Sequence, residues 1–142
     1  MKNRVTSDKI KKLEENQIFV FGSNLSGRHG KGAAKTALGW GAKWGQAAGL
    51  QGRTYGIPTK DASVRRTLSV LEIKPFVDDF INFAKENPQL TFLVTEIGCG
   101  LAGMKPKDIA PLFKEAVDVE NIHLPSKFWH KVETKKSSSE LF

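Results

Sequence analysis

Ile18 to Phe21 is an unbroken apolar run that stops at Gly22, and this stop constrains the fold more than any other stretch of the chain. The run reads as a strand. Behind it come Gly22, Ser23, Asn24, Ser26, Gly27, Arg28, His29, Gly30, Lys31 and Gly32, a glycine loop, and then Ala33, Ala34, Ala37 and Leu38, the first turns of a helix. A strand that hands over to a helix through such a loop gathers backbone N–H groups and the positive end of a helix dipole at one point. Phosphate is the anion this favours. The Walker A pattern is not met, because Gly27 is followed by Arg28 and His29 where Lys and then Ser or Thr are required. ATP hydrolysis of the P-loop kind is therefore disfavoured, and the same residues also fit an ordinary turn between strand and helix.

The flanking sequence predicts alternating strands and helices. Thr6 or Ser7 could cap a short helix over Asp8 to Glu15 that buries Ile10 and Leu13, leading into the strand Gln17 to Phe21. A helix over Lys31 to Leu38 gives way to the glycine-rich passage Gly39 to Gly52, where Trp40 and Trp44 suit core anchors, with flanking of a ligand base as the alternative. Arg53 to Ile57 reads as a strand halted by Pro58, which leaves Lys60 in the following loop. Ser69 and Glu72 have capping-box spacing, which starts a helix at Val70, or at Lys74 if Pro75 must lie in the first turn. Its apolar stripe is Phe76, Val77, Phe80, Ile81 and Ala84, and Asn87-Pro88 ends it. Leu90 to Thr95 lacks alternation, as a central strand covered on both faces would. A helix over Pro106 to Ala116 with Ile109, Leu112 and Phe113 inward, a strand Asn121 to Leu124 and an amphipathic segment Lys127 to Val132 complete the pattern.

With 142 residues the chain fits one domain, spanning 1–132, with a polar and flexible tail at 133–142. No apolar run approaches the ~20 residues of a membrane span, and the first residues lack the apolar core of a secretory signal. A lone Cys99 allows no internal disulfide and suggests no metal cluster, so a reducing cytoplasm is the expected compartment. The formal charge of +7 lies largely near the ends, where it solubilises, and weak non-specific attraction to nucleic acid is expected from it.

This alternation predicts an α/β fold, a three-layer α/β/α sandwich with a mixed, largely parallel sheet. Ligands of such sheets bind beyond the carboxyl ends of the strands, where both glycine loops and Lys60 should converge. The second loop, Gly98 to Gly103, has dinucleotide-fingerprint spacing, with Asp118 and Glu120 about 20 residues on. Only one further strand follows it, which argues against a Rossmann domain.

Phe21 to Ala34 resembles a variant of the macrodomain opening loop, and Ile97 to Gly103 is similar to the macrodomain second loop, which wraps the diphosphate and distal ribose of ADP-ribose. Ile57 to Asp61 is similar to the Pro-Thr-Lys segment of lysine-dependent macrodomains of the DarG type, which remove ADP-ribose from DNA. The whole chain also resembles small phage-encoded macro-like proteins. The resemblance implies that Asn24 contacts the distal ribose, with Gly22, Ser23, Gly30, Lys31, Gly32 and Ala33 along its side of the cleft. It implies that Gly98, Cys99, Gly100, Leu101, Ala102 and Gly103 form the phosphate loop, and that Lys60 is the catalytic lysine. Relatives that cleave ADP-ribosyl-glutamate carry an Asp where this chain has Ala102, so an acid at that position is absent.

Lysine can serve an ADP-ribosyl linkage as a neutral nucleophile at the anomeric carbon or as a cation at the leaving group. Asp61 and Glu96 are the carboxylates nearest in sequence that could replace the missing acid, Asp61 beside Lys60 being the catalytic partner of choice. His29 could hydrogen-bond a ribose or phosphate, or be a surface residue of its loop, and Cys99 suits a small spacer better than a nucleophile. The expected function is ADP-ribose binding with removal of ADP-ribose from modified DNA or protein, requiring no cofactor. The alternatives are a non-catalytic reader, a phosphatase of ADP-ribose 1''-phosphate and, least favoured, a basic nucleic-acid-binding protein.

Overall fold

The computed structural model describes residues 2–132. Six strands occur along the chain: β1 (Val5–Thr6), β2 (Gln17–Asn24), β3 (Gly49–Gln51), β4 (Thr54–Lys60), β5 (Thr91–Val94) and β6 (Ile122–Pro125). They form one sheet in the order β1-β6-β5-β2-β4-β3, parallel throughout except for β3, which runs antiparallel to β4 at one edge. The helices are α1 (Gly32–Leu38), α2 (Val70–Glu86) and α3 (Pro106–Ile109), the last continued by a 3-10 stretch over Ala110–Asp118. Residues 126–132 are also helical.

The apolar run in β2 has no alternation because both of its faces are covered. Ile18 and Val20 join a large cluster with Ile57 of β4, Phe92 and Val94 of β5, and Ile73, Val77 and Phe80 of α2. Phe19 and Phe21 point to a second cluster with Ala34 and Ala37 of α1 and with Ala42. The largest buried side chains, among them Phe21, Phe80, Phe92, Phe113 and Phe128, are shared between these two clusters.

Several elements differ from the sequence expectation. Residues 8–14 form bends and irregular chain rather than a helix. Ser7 Oγ accepts from Lys9 N at 3.4 Å in a local turn, and Arg53 donates to the carbonyls of Leu13 and Glu14 at 3.1 and 2.7 Å. Only Ile10 and Leu13 reach apolar neighbours there, too little burial to offset the entropy of ordering a helix. β2 runs on past Phe21 because Gly22 and Ser23 pair with Ile57 and Pro58. β4 passes through Pro58 to Lys60, and β3 covers only Thr54 to Gly56, so the proline sits where no ladder bond is lost.

The capping box at Ser69 and Glu72 is complete, and α2 starts at Val70. Pro75 is tolerated because the carbonyl it leaves unpaired belongs to Leu71, which is 81% exposed and open to water. The helix expected over Pro106 to Ala116 is divided, since Pro111 removes the N–H an α ladder would need and the chain tightens to 3-10 form. Ile109 and Phe113 are buried as expected. Residues 126–132 bury Phe128, Trp129 and Val132, and Trp129 Nε1 donates to the Arg4 carbonyl at 2.7 Å, tying this helix to the turn just before β1. Trp40 packs on Phe19 with ring centres 5.0 Å apart, whereas Trp44 is 63% exposed and is no core anchor. The segment 133–142, read as a polar tail, lies outside the described residues. Among the described residues no helix is long and apolar enough to cross a membrane.

Candidate ligand cleft

β2 and β5 stay paired through Val20 and Val94, and Thr95 N still reaches the Val20 carbonyl at 3.2 Å. Beyond this point β2 continues with β4 alone, and the loops after the three strands diverge. They enclose a cleft of about 790 Å³, the size of a small-molecule site.

From the first loop the cleft takes Gly22, Ser23, Asn24, Arg28 and Gly30, followed by Lys31, Gly32 and Ala33 at the start of α1. From the end of β4 it takes Thr59, Lys60 and Val64. From the end of β5 it takes Thr95, Glu96 and Gly98 to Ala102, and Trp44 stands at its rim. Three cations, Arg28, Lys31 and Lys60, therefore face one carboxylate, Glu96. His29, Asp61 and Gly103, singled out from the sequence, do not line it.

The first loop is organised by Asn24. Its Oδ1 accepts from Arg28 N at 2.9 Å and from Ser26 Oγ at 2.8 Å, and its Nδ2 donates to the Arg28 carbonyl at 2.8 Å. One N–H of the amide is left over for a ligand. Gly27, at φ +70, presses against the backbone of Gly45 and Gln46, so its glycine serves packing and not the cleft. His29 turns inward: it is fully buried, meets Phe21 edge-on at 5.3 Å and holds Gln51 Oε1 at 3.2 Å through Nε2. Its aromatic neighbours give the ring more contact than the loop surface would, and the ring is withdrawn from any ligand in the cleft.

Lys60 is the last residue of β4 rather than part of a loop, held there by its bridge to Thr67 and by Leu25 N, which donates to its carbonyl at 2.9 Å. It is half-buried, and among the described residues no carboxylate forms an ion pair with its ammonium. Asp61 is turned away to close its own turn. Its Oδ1 accepts from Ser63 Oγ at 2.7 Å and from the amides of Arg65 and Arg66 at 3.3 Å. The Ser63 hydroxyl, then the two amides, then the Arg66 charge hold this carboxyl below its usual range. A carboxylate so occupied is poorly suited to proton transfer at Lys60. The turn is strained at Val64, a β-branched residue at φ 63 that lines the cleft.

The second loop closes on itself through Met104 N to the Gly98 carbonyl at 2.7 Å and Gly103 N to the Gly100 carbonyl at 3.0 Å. No helix opens at Gly103, so the fingerprint spacing has no dinucleotide-binding helix behind it. Thr67 Oγ1 donates to the Ala102 carbonyl at 2.6 Å and joins this loop to the turn after β4. Burial, followed by the nearby charge of Glu96, pushes the Cys99 thiol up to about 11, so it is protonated at neutral pH and is no nucleophile. Glu96 also faces Lys127 at 3.8 Å.

A second compartment of about 280 Å³ shares Ala33, Thr95 and Glu96 with the cleft. Asp8, Phe19 and Thr6 line it, and the buried Thr6 hydroxyl has no partner among the described residues. Sequence reasoning misses Thr6 and Asp8 by assigning them to a helix start. The rule that locates Lys60, polar residues at the carboxyl end of a parallel strand, also selects them once β1 is recognised.

No family model, no curated protein and no solved structure matches this chain. Among the described residues no group of three or more His, Cys, Asp or Glu is arranged to hold a metal ion.

Proposed function

We propose that this chain is a macrodomain-like protein that binds ADP-ribose and releases it from a modified macromolecule, DNA or protein. The observation that carries the reading is the pairing of the cationic cleft with a smaller compartment through Ala33, Thr95 and Glu96. A ligand with a base at one end, a diphosphate in the middle and a sugar at the other matches that division. The diphosphate lies by Arg28, Lys31 and the backbone of Gly98 to Leu101. The base enters the smaller compartment, where Asp8 and Thr6 offer hydrogen-bonding groups and Phe19 an apolar wall. The distal ribose turns to Lys60. The apolar clusters on either side of β2 support the three-layer α/β/α arrangement that the resemblance implies.

In the release step Lys60 acts at the anomeric carbon: as an amine it bonds to that carbon while the bond to the modified group breaks, and water then hydrolyses the adduct to free ADP-ribose; as an ammonium it stabilises the departing group while water takes its place on the carbon. Glu96, the carboxylate of the cleft, stands at its junction with the smaller compartment and so on the base side of the ligand. A non-catalytic ADP-ribose reader is the second reading, favoured by the engagement of the Asp61 carboxylate in its own turn. Calorimetric titration with ADP-ribose, using AMP and ATP as controls, tests the shared premise. ADP-ribose should bind one to one and more tightly than either control, and a folded protein giving no heat with ADP-ribose overturns both readings. Incubation with ADP-ribosylated thymidine, guanosine or glutamate and with the 1''-phosphate then separates enzyme from reader.

A further inference from the structure

Outside the cleft, four lysines line a groove of about 600 Å³ between the start of α3 and the helical residues 126–132. Lys105 and Lys107 form one wall. Lys127, His130 and Lys131 form the other, at the i, i+3, i+4 spacing that puts three side chains on one helix face. All five are exposed, and Pro106 and Ser126 complete the lining, which among the described residues includes no carboxylate. Among the described residues, Glu96 lies 3.8 Å from Lys127, and Asp108 follows Lys107 in sequence. The four lysines gathered along one groove repel one another, and an anionic occupant removes that cost.

We propose that this groove docks the phosphodiester backbone of duplex nucleic acid without reading its sequence. Two observations select that occupant. The groove is lined by lysines, point charges that suit a row of phosphates. It offers no exposed large apolar side chain, because the apolar residues of 126–132, Phe128, Trp129 and Val132, are buried in the core. A protein partner would need a desolvated apolar or aromatic anchor, a membrane surface would need an apolar face to insert, and a single strand would need exposed rings on which its bases stack. Duplex phosphates need none of these. The inference goes beyond the ADP-ribose reading and does not depend on it. Lys127 links the two sites through Glu96, so a duplex bound here lies beside the cleft.

The test is fluorescence anisotropy of a labelled random-sequence DNA duplex titrated with full-length protein over a series of salt concentrations. Wild type should bind with an affinity that falls steeply with salt. Lys107→Ala/Lys131→Ala should weaken binding at low salt and make the slope of log affinity against log salt shallower by about 2. Lys35→Ala/Lys85→Ala removes the same charge from exposed positions of α1 and α2 and should leave both quantities near wild type. Equal loss in the two double variants would mean a diffuse charge effect and overturn the groove. So would unchanged binding in Lys107→Ala/Lys131→Ala, or competition by polyglutamate, anionic vesicles or single-stranded DNA as effective as that by duplex. ADP-ribose titration of the same variants should match wild type, so a failure of the ADP-ribose reading and a failure of the groove are told apart.

Discussion

Gly22 and Gly98 meet on the floor of the cleft: a Cβ added to Gly22 would stand 3.4 Å from the Gly98 amide nitrogen and 3.4 Å from Thr59 Oγ1. The ends of β2, β4 and β5 are thus drawn together at one place by the lack of a side chain. Both glycine loops thereby leave backbone open to the cleft.

Glycines of the second loop should respond differently to substitution. A Cβ at Gly100 meets nothing within 4 Å, and its backbone is not left-handed, so Gly100→Val should fold normally and lose ADP-ribose binding by filling the cleft. Gly98 sits at φ +77, and a Cβ added there would stand 3.2 Å from Met104 Sδ, so Gly98→Ala should cost about 1–2 kcal/mol of stability. Urea unfolding and calorimetry on both variants check this; a folded Gly100→Val with wild-type affinity contradicts the assignment of the phosphate loop.

Lys60 should separate binding from turnover. Lys60→Ala is expected to abolish release of ADP-ribose from modified DNA or protein while changing affinity for free ADP-ribose only a few-fold, because a contribution confined to the transition state leaves ground-state binding largely intact. Asp61→Asn should leave the release rate near wild type, since its carboxylate is engaged with Ser63, Arg65 and Arg66. Proportional loss of affinity and rate in Lys60→Ala would make the lysine a phosphate contact instead.

Asp8 should read the base. A carboxylate lining the smaller compartment accepts from an exocyclic amine, so AMP should compete for ADP-ribose better than IMP, whose base lacks that amine. Asp8→Ala should erase the difference and weaken ADP-ribose by about tenfold, the order expected for a hydrogen bond to a charged group. Competition titrations decide it.

Stability should fall in acid through the loop beside the cleft. Hydrogen bonds from Arg66, then from the Ser69 backbone and hydroxyl, hold the Glu72 carboxyl down at about 2 against an ordinary 4.5. A depressed carboxyl contributes stability that is complete above its unfolded value and lost as pH falls through the folded one. The thermal midpoint should therefore drop between about pH 4.5 and pH 2, and Glu72→Gln should flatten that part of the curve. Equal slopes in the two proteins would exclude the contribution.

Much of the frame was legible residue by residue. Ile18 to Phe21 announced a strand, Leu90 to Thr95 a central strand covered on both faces, Ser69 and Glu72 the start of α2, and the glycine loops after strands located the cleft, because each signal rests on backbone preferences spanning a few neighbours. What lay beyond such local rules was decided by partners far along the chain. β2 extended to Asn24 and β4 through Pro58 because each completed the other's ladder, and residues 8–14 stayed irregular because only Ile10 and Leu13 found apolar neighbours, while Arg53 holds the Leu13 and Glu14 carbonyls. His29 and Asp61 sit beside cleft residues in sequence yet turn away from it, one toward Phe21 and Gln51, the other into its own turn. Trp44, legible as an aromatic at helical spacing from Trp40, stands at the rim with its ring 6.4 Å from that of the buried His29, while Trp40 packs on Phe19 in the second cluster. A sequence sets which backbone shapes are cheap over a turn or a strand, whereas the direction of a side chain at a loop is set by long-range contacts that exist only once the sheet has formed.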